Sequence, residues 1–381
     1  MIIRYDVVLI GGGIAGLMAA HKLCDLGMRV ALIERQSTLA SGPSTRNEGW
    51  LHRGTYHAAS IKSRGNAVQV ARRCIYGHEQ LRRFCPEAVE DGDRRPLVMI
   101  RDAGMVDEVI SRWSEAEVQC RPITREAAQT LAPDADFQRA SAIFEANDVS
   151  LNTRLVYRKL FALAGKSGCD FYIGNQIDRI DGQVATVTGA DGDKLRLEAR
   201  KFVYSAGTGT KSLFERFHAI DLPIRFWKSH LVITKRLAPV GVFFVDAHEA
   251  AMMHHGAVSI VGLNEDALLS AEPSYDVIAE RAANVRRAIA RIFPSWDDAA
   301  AIEVACTKVD LVADPSGARS LNIAVVEPKD GHICVLPGKM TEAPYLTDVL
   351  VSYLHQRLEG PPISLRPCDN FGTNQAIMGA A

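Results

Sequence analysis

The chain has 381 residues, 47% of them hydrophobic and 23% charged, which is the composition of a globular protein with one large core or two joined ones. Since 44 basic residues oppose 45 acidic ones, the formal charge of -1 gives no electrostatic reason to expect nucleic acid or an anionic membrane as partner. Small neutral or anionic substrates agree with this balance.

The cysteines and the apolar segments indicate the compartment. The eight cysteines include no C-x-x-C pair and no His/Cys cluster at zinc spacing, so we expect a reducing cytoplasm and no metal site. His248-Glu249 begins like a zinc-protease helix, but Met252 stands where the second ligand would be. Because no run of eighteen apolar residues is present and only three residues precede Arg4, we expect neither a transmembrane segment nor a signal peptide.

The first predicted elements form a βαβ unit. Residues 7–10 are a short apolar run that ends in three glycines, and residues 14–26 show the spacing of an amphipathic helix that Gly27 stops. Residues 30–33 are a second apolar run, typical of a strand buried on both faces of a parallel sheet.

The rest of the chain alternates between helical and strand-like patterns, in two units that are interleaved in sequence rather than joined by one linker. Helices are predicted at 61–84, 106–118, from the Thr124 cap to before Pro133, and at 152–164, 275–292 and 341–358. Strands are predicted at 96–100, 169–173, 176–180, 184–188, 195–197, 202–204 and 333–336, with an antiparallel sheet at 230–234, 241–245, 257–261 and 304–312.

The glycines between the first strand and the first helix predict a dinucleotide site. In Gly11-x-Gly13-x-x-Gly16 the first glycine permits a tight turn, the second lets the backbone approach a pyrophosphate, and the third lets helix and strand pack closely. The pyrophosphate would lie at the helix N-terminus. Glu34, eighteen residues after Gly16, is placed to bind a ribose hydroxyl and would repel the 2′-phosphate of NADP. The motif by itself allows FAD or NAD.

No second G-x-G-x-x-G motif follows. Residues 207–212, Gly-Thr-Gly-Thr-Lys-Ser, look like a phosphate loop but lack the adjacent Gly-Lys pair of the nucleoside-triphosphate pattern, so we interpret them as a chance match. If FAD is bound and there is no separate nicotinamide site, electrons would come from the organic substrate itself.

Several segments carry a family resemblance. Residues 44–56, Ser-Thr-Arg-Asn-Glu-Gly-Trp-Leu-His-Arg-Gly-Thr-Tyr, resemble the D-amino acid oxidase superfamily of FAD enzymes, in the segment that runs past the pyrophosphate and one flavin face in its 2-hydroxyglutarate and glycerol-phosphate branches. Residues 124–133 and 148–152 resemble the linker into its second cofactor-domain segment. Residues 203–207 match the position of its Asn-Ala-Ala-Gly strand end, and 338–341 resemble the Gly-Gly-Lys-x-Thr of the glycerol-phosphate branch.

The resemblance covers most of the chain in order and implies an FAD-dependent oxidase or dehydrogenase with an α/β fold. A Rossmann-like, doubly wound FAD-binding domain would be interleaved with an α+β substrate domain built on an antiparallel sheet. We expect residues 1–80, 145–220 and 330–381 in the FAD-binding domain and residues 81–144 and 221–329 in the substrate domain.

The glycine motif and the resemblance together predict the cofactor-binding residues. These are Gly11, Gly13, Ile14, Ala15, Gly16, Glu34, Arg35, Ser44, Thr45, Arg46, Asn47, Gly49, Leu51, Ala206, Gly207, Gly338, Lys339, Met340 and Thr341.

The chain also departs from the family pattern. Where the hydroxyglutarate branch usually has His-Asn-Ser-Gly, this chain has Arg46-Asn47-Glu48-Gly49, and Arg53 and His57 replace small or aromatic residues. Glu48 could bind a cationic group or a hydroxyl of the substrate, or it could pair with Arg46 or Arg53.

The final helix and Lys339 are predicted to act on the flavin. Thr341 and Pro344 are start signals for this helix. A helix N-terminus directed at the flavin pyrimidine would stabilise the negative charge that develops near N1 and O2 on reduction, and Lys339 could add a full positive charge there.

Histidines are the candidate general bases for a substrate C–H that carries OH or NH. We expect His52 to fill this role because the resemblance places it in the flavin-facing segment; His57, His254 and His255 are the other candidates. The predicted catalytic residues are His52, Lys339, Arg46, Glu48 and His255. The candidate anion anchors on the second unit are Lys228, His230 and Arg319.

The expected reaction is hydride transfer from a substrate carbon to flavin N5. A secondary alcohol such as a 2-hydroxy acid or polyol-like compound is the leading substrate class, and an amine or amino acid is the alternative. Dioxygen, a quinone or a protein carrier would reoxidise the flavin, and the sequence does not choose among them. Two rivals are a flavin monooxygenase, which the missing second nucleotide motif disfavours, and a non-catalytic binding protein, which would hold no reducible flavin.

Overall fold

The structure is a computed structural model that describes residues 2–90, 94–264, 267–312, 319 and 321–358. Its strands are β1 (Ile2–Ile10), β2 (Val30–Glu34), β3 (Trp50–Leu51), β4 (Val89–Glu90), β5 (Leu97–Ile100), β6 (Arg121–Pro122), β7 (Ala142–Glu145), β8 (Val149–Leu151), β9 (Asp170–Ile173), β10 (Gln176–Asp181), β11 (Val184–Thr188), β12 (Lys194–Tyr204), β13 (Ile224–Lys235), β14 (Val242–Phe244), β15 (Ala250–His255), β16 (Val258–Leu263), β17 (Leu268–Ser270), β18 (Ile302–Leu311), β19 (Ala324–Lys329) and β20 (His332–Leu336). Its helices are α1 (Ile14–Asp25), α2 (Thr55–Ser60), α3 (Arg64–Phe84), α4 (Val106–Glu115), α5 (Arg125–Leu131), α6 (Thr153–Lys166), α7 (Thr210–His218), α8 (Ala279–Ile292) and α9 (Ala343–Arg357).

The chain folds into two compact units, both discontinuous in sequence. The first unit takes the described residues of Met1–Thr45, Arg154–Arg225 and Val309–Ala381, and the second those of Arg46–Thr153 and Phe226–Lys308. The predicted interleaving of two units in an α/β fold is therefore confirmed.

The unit boundaries differ from the expected domains at four segments, the shortest of which is residues 221–225, expected in the substrate domain but grouped with the first unit. Residues 46–80 and 145–153 group with the second unit, because α2 and α3 pack against α4 and β8 pairs with β3. The described residues of 309–329 group with the first unit, because β19 pairs with β20. The contribution of residues 46–80 and 145–153 to the cofactor site is still a prediction.

The sheet of the first unit is built on parallel strands. β1 lies between β2 and β12, with Leu9 opposite Leu32 on one side and Val203 on the other. β9 and β20 continue the parallel arrangement beyond β2 and β12, whereas β10 and β11 form an antiparallel meander on β12 and β19 is antiparallel to β20. Residues 7–10 of β1 and 30–33 of β2 are apolar and buried, as expected of strands covered on both faces.

The second unit contains a sheet with the order β17-β13-β16-β15-β14-β5-β7-β6, in which β18 also pairs with β13. β13, β16, β15 and β14 pair antiparallel in this order, as expected, whereas β14 runs parallel to β5. Successive residues of β15 point to opposite faces, so Met252 packs with α8 in one apolar cluster and Met253 packs with Trp50 in another. A small sheet with the order β3-β8-β4 completes this unit.

Several elements differ from the sequence predictions, among them α7 and β19, which were not predicted. The strands expected at 195–197 and 202–204 are one strand, β12, because its polar middle still alternates in burial and pairs with β1 and β11. The helix expected at 61–84 begins at Arg64, where the Ser63 hydroxyl accepts from the Asn66 amide, and the separate helix α2 precedes it. β15, which contains His254 and His255, was not predicted as a strand.

No helix in the described ranges is long and apolar enough to cross a membrane.

Candidate active site

The glycines of the first motif allow three backbone segments to meet. Gly11 has φ +109°, and a Cβ atom there would lie 2.6 Å from the Ala206 Cα atom at the end of β12. A Cβ atom on Gly16 would lie 2.0 Å from the Gly11 carbonyl oxygen, so α1 could not pack this closely on the end of β1 with any other residue. The structure thus brings Gly11, Gly16 and Ala206 together as the motif predicts.

The N-terminus of α1 has the character of an anion site. Its N-cap, Gly13, has no side chain to accept a hydrogen bond, and the first turn carries no acidic residue. The Ser44 hydroxyl accepts from the Ile14 amide at 3.1 Å and lies where a Cβ atom on Gly13 would come within 3.0 Å. The amides of the first turn and the helix dipole favour a phosphate at this position.

Glu34 is held in one orientation by backbone amides. One carboxylate oxygen accepts from the Gly12 amide and the other from the Gln36 amide, both at 2.8 Å. A fixed carboxylate beside the glycine turn can accept from a ribose hydroxyl through its remaining lone pairs, and its charge opposes a 2′-phosphate. These features of the turn, the helix and Glu34 fit the ADP half of a dinucleotide cofactor.

Tyr157 connects two of the predicted cofactor segments, and nothing in the sequence pattern indicates this role beyond its place in a predicted helix. Its hydroxyl donates to the Ser44 carbonyl oxygen and lies 3.5 Å from the Met340 sulfur. Because the tyrosine is fully buried, it fixes residues 44 and 340 near each other within the first unit.

Lys339 lies next to a buried acid. Its ammonium group is 2.6 Å from a carboxylate oxygen of Glu342, which is itself fully buried. Gly338, which precedes it, has φ +64° and packs so closely that a Cβ atom would lie 2.8 Å from the Leu321 carbonyl oxygen. The expected full positive charge is therefore largely balanced by Glu342. The final helix begins at Ala343 rather than Thr341, because residues 340–342 form a 3-10 turn.

The candidate anion anchors are engaged with protein groups. Arg319 lies in the first unit, not in the second as expected, because Asp310 and the Gly338 carbonyl oxygen bind its guanidinium at 3.4 and 2.8 Å. In the second unit Lys228 donates to the Ser274 hydroxyl at 2.9 Å, and His230 accepts from the Ile278 amide at 3.0 Å.

A buried carboxylate organises the predicted flavin-facing segment in the second unit. Asp148 accepts from the Trp50 indole at 3.0 Å and from the Arg53 amide at 2.9 Å, and its other oxygen binds the Thr55 hydroxyl. Burial raises the pKa of this carboxyl, and the hydrogen bonds from Thr55, Arg53 and Trp50 oppose that rise. Asp148 thus ties residues 50–55 together from inside the unit.

Backbone carbonyl groups of the same segment are also bound. The Gly49 carbonyl oxygen accepts from the Leu151 amide at 2.8 Å, and the Leu51 carbonyl oxygen accepts from His78 Nδ1 at 3.2 Å. Burial, followed by the charge of Arg53, lowers the pKa of His78 to about 4, so this histidine is neutral at physiological pH and carries its proton on Nδ1.

His255 binds the turn that contains Glu48. Its Nε2 donates to the Glu48 carbonyl oxygen at 2.8 Å, and its Nδ1 contacts the Glu90 carboxylate. Gly49 has φ +61° and leaves room for this ring, because a Cβ atom there would lie 2.3 Å from His255 Cε1. The structure therefore brings Glu48, Gly49 and His255 together, in an arrangement that suits positioning of the turn.

His52 lies among aromatic rings near Asp148. Its ring centroid is 4.3 Å from that of Trp50 and 4.4 Å from that of His57, and its Nδ1 is 4.0 Å from an Asp148 oxygen. The imidazole is thus placed beside a carboxylate that could stabilise its protonated form. Its role as a base stays a prediction.

The charged residues that replace the family pattern have partners that the sequence did not indicate. Glu48 lies 3.4 Å from Lys308, not in the expected pair with Arg46 or Arg53. Arg46 stacks over the Tyr275 ring at 4.7 Å, and Arg53 lies 3.5 Å from Glu79. Lys308 and Tyr275 are far from this segment in sequence, so only the fold could reveal them.

A glycine-turn nucleotide unit interleaved with an α+β unit is an architecture of flavin-dependent oxidoreductases. Comparison with known proteins agrees: the model of the FAD-dependent oxidoreductase family DAO matches residues 6–333, and the chain belongs to this family. It is an FAD-dependent enzyme, which confirms the expected cofactor, enzyme class and superfamily.

Solved structures of similar fold extend over nearly the whole chain. Glycine oxidase from Geobacillus kaustophilus has a TM-score of 0.71 at 18% identity and covers 97% of this chain and 100% of its own. L-alpha-glycerophosphate oxidase from Mycoplasma pneumoniae, solved with FAD bound, has a TM-score of 0.74 at 16% identity and covers 95% and 97%. L-proline dehydrogenase from P. horikoshii has a TM-score of 0.73 at 16% identity and covers 93% and 95%.

One curated relative is similar in sequence over a shorter stretch. Mitochondrial L-2-hydroxyglutarate dehydrogenase from Arabidopsis thaliana is 32% identical over 84 residues, which are 22% of this chain and 16% of the plant enzyme. The match thus spans less than a fifth of that relative's length.

The close approach of α1 to β1 predicts that Gly16→Ala abolishes FAD retention. The added methyl group collides with the Gly11 carbonyl oxygen, so the helix N-terminus must move away from the pyrophosphate position. The flavin-to-protein absorbance ratio of the purified variant would fall at least tenfold. Gly65→Ala is the control, because nothing lies within 4 Å of a Cβ atom at that helical position. Full flavin content in Gly16→Ala would contradict the assignment.

The buried state of Asp148 predicts a pH-dependent stability difference between the wild type and Asp148→Asn. Because folding raises the carboxyl pKa from its ordinary value of about 3.8, the folded state holds its proton more tightly than the unfolded chain. The stabilisation that this carboxyl contributes is complete below its unfolded pKa and is lost as pH rises through its folded pKa. The free energy of unfolding of the wild type minus that of the variant should therefore fall across this window in urea titrations. A flat or rising difference would show that the pKa is not raised.

Proposed function

We propose that the enzyme oxidises a small organic acid at a carbon that carries a hydroxyl group, with a 2-hydroxy acid as the substrate class. The observation that carries this proposal is Arg46. Its guanidinium is exposed and stacked on Tyr275, and among the described residues no carboxylate lies within ion-pair distance of it. Such a group can bind a substrate carboxylate through two parallel hydrogen bonds, and the ring beneath it limits the conformational entropy lost on binding.

The Glu48–Lys308 pair favours a hydroxy acid over an amino acid. A substrate ammonium group would need a free carboxylate, but Glu48 already lies 3.4 Å from the ammonium group of Lys308. A neutral hydroxyl group can accept from Lys308 or donate to Glu48 without displacing either charge. Amine oxidation remains the alternative, since the similar proteins include both a glycine oxidase and an L-2-hydroxyglutarate dehydrogenase by name.

His52 is the proposed proton acceptor. FAD, when bound, accepts the hydride that leaves the substrate carbon. His52 takes the proton of the substrate hydroxyl group, and the product is the corresponding 2-oxo acid. Asp148 holds the surrounding backbone in place and, at 4.0 Å from Nδ1, stabilises the imidazolium that forms. Dioxygen, a quinone or a protein carrier then takes the electrons, and the scattered cysteines support a cytoplasmic location for this cycle.

The substrate class is tested by anaerobic mixing of the flavin-loaded enzyme with a matched panel of 2-hydroxy acids, the corresponding amino acids and polyols. We expect flavin absorbance to bleach with a hydroxy acid. Bleaching by amino acids alone would replace the proposal with its alternative. Rapid bleaching by NADH or NADPH would instead indicate a monooxygenase. Oxygen consumption in the aerobic reaction separates an oxidase from a dehydrogenase.

The role of Arg46 predicts a defect in substrate affinity for Arg46→Met. Loss of a charge-assisted contact of about 1.5–3 kcal/mol should raise KM by about tenfold to a hundredfold for a carboxylate substrate. Arg46→Lys should recover part of the affinity, because the ammonium group keeps the charge but not the paired geometry. Arg287→Met, at an exposed arginine of α8, is the control. A variant Arg46→Met with unchanged kcat/KM would rule out this anchor.

A further inference from the structure

Three arginines of the second unit converge on one buried carboxylate, that of Glu249 in the His-Glu pair whose zinc-site interpretation the sequence excluded. Glu249, which directly precedes β15, is 2% exposed. One of its oxygens lies 2.6 Å from Arg101 and 2.5 Å from Arg139, and the other lies 3.4 Å from Arg291. The arginines follow β5, precede β7 and occupy the last turn of α8, so three separate parts of the unit meet at this acid.

Among the described residues, the three guanidinium groups share Glu249 as their one carboxylate partner. Asp246 is also buried nearby, but its carboxylate accepts the backbone amides of Arg101 and Asp102 at 2.8 and 3.1 Å. Burial by itself would raise the pKa of the Glu249 carboxyl. The hydrogen bond and charge of Arg139 outweigh the effect of burial, with smaller contributions from the charges of Arg291 and Arg101. The pKa therefore lies below its usual range. One ionised Glu249 neutralises one cation. The guanidinium groups around it repel one another, and a further anion would reduce this repulsion.

The arginines keep hydrogen-bond donors that solvent can reach. The Arg101 and Arg291 side chains are 46% and 42% exposed, and that of Arg139 is 30% exposed. Within the described part of the chain, Arg101 uses only Nη1 of its guanidinium and Arg291 uses only Nη2. The other N–H groups of these two side chains therefore form an exposed, positively charged rim over Glu249.

The cluster is held in place before any ligand enters. The Arg139 guanidinium lies 5.8 Å from the centre of the Phe244 ring, and the Ser141 hydroxyl donates to the Arg101 carbonyl oxygen at 2.6 Å. Arg291 also donates to the His248 carbonyl oxygen at 3.4 Å. Side chains already ordered by the protein lose little conformational entropy when they bind an anion.

We infer that Arg101, Arg139 and Arg291 form a binding site for a phosphate group. A phosphate dianion presents several oxygens in a tetrahedral arrangement, so it can accept from the forks of more than one guanidinium at once, which a chloride ion cannot do. The contacts with Glu249 set the distances between the three guanidinium groups. Phosphate bound at the rim connects α8 with β5 and so stabilises the second unit. The site uses none of the residues of the proposed oxidation.

The test is thermal unfolding of the flavin-loaded enzyme in increasing inorganic phosphate, with potassium chloride added to keep the ionic strength constant. We expect the melting temperature to rise and saturate with phosphate, because a ligand that binds only the folded state stabilises it. Phenyl phosphate in place of inorganic phosphate distinguishes a phosphomonoester ligand from free phosphate. If phenyl phosphate raises the melting temperature at lower concentrations than inorganic phosphate does, the site binds phosphomonoesters. If it raises the melting temperature less, the ligand is free phosphate.

Substitutions assign the response to the cluster. Arg291→Met should weaken the apparent phosphate affinity about tenfold or more, whereas Arg287→Met, on the same helix, should leave it unchanged. Glu249→Gln should tighten phosphate binding, because it removes the competing carboxylate. If the arginines serve only to neutralise Glu249, phosphate will act no better than chloride in the wild type. That result, or an Arg291→Met variant with the full response, would overturn the inference. Should Glu249→Gln fail to fold, the comparison of Arg291→Met with Arg287→Met decides.

Discussion

The contact between the turn after β1, the start of α1 and the end of β12 is the constraint on which the rest of the cofactor unit depends. It exists because Gly11 and Gly16 carry no Cβ atom, so the Gly11 carbonyl group and Ala206 can approach at backbone distance. The helix N-terminus lies at the carboxyl edge of the parallel strands, where its N-cap Gly13 has no capping side chain and the Ser44 hydroxyl binds the Ile14 amide. Helix dipole, amides and the fixed Glu34 carboxylate then act on the same small region, which is why one short motif can specify a dinucleotide.

In the second unit a buried acid, rather than glycines, holds the backbone of the predicted flavin-facing segment in place. A two-residue strand such as β3 has too few ladder hydrogen bonds to fix a segment by itself. Asp148 supplies the missing contacts from inside, and His78 and His255 bind the neighbouring carbonyl groups. Burying a carboxylate is costly unless its oxygens are hydrogen-bonded, and here three donors meet that requirement. These contacts hold the backbone of the segment through groups other than its outward side chains.

The sequence predicted most of what depends on local pattern. The βαβ unit, the glycine turn, Glu34 and the Thr124 helix cap are set by residues close in sequence, and the structure shows each of them. β12 was divided because its middle is polar, and a partly exposed strand is hard to distinguish from a loop without its neighbours. The partners of Glu48 and Arg46 are distant in sequence, and the partner of Lys339 is reached through a local turn. Hydrophobic periodicity reveals neither kind of contact. Tyr157 and Asp148 were missed as organising residues for the same reason.

This division between local and long-range information explains why the family was easier to predict than the substrate. The family resemblance lies in backbone features, namely glycines, strand ends and helix starts, which any member needs to hold FAD. In the proposed reaction, the substrate preference would depend on a few side chains that extend from residues 46–53. Replacement of a small residue by Glu48 would leave an uncompensated charge, but Lys308 on the distant strand β18 balances it. If the substrate binds as proposed, exchange of such paired charges would alter the groups that it contacts without disturbing Asp148 or the glycine turn, so the fold could keep its cofactor while its specificity changes.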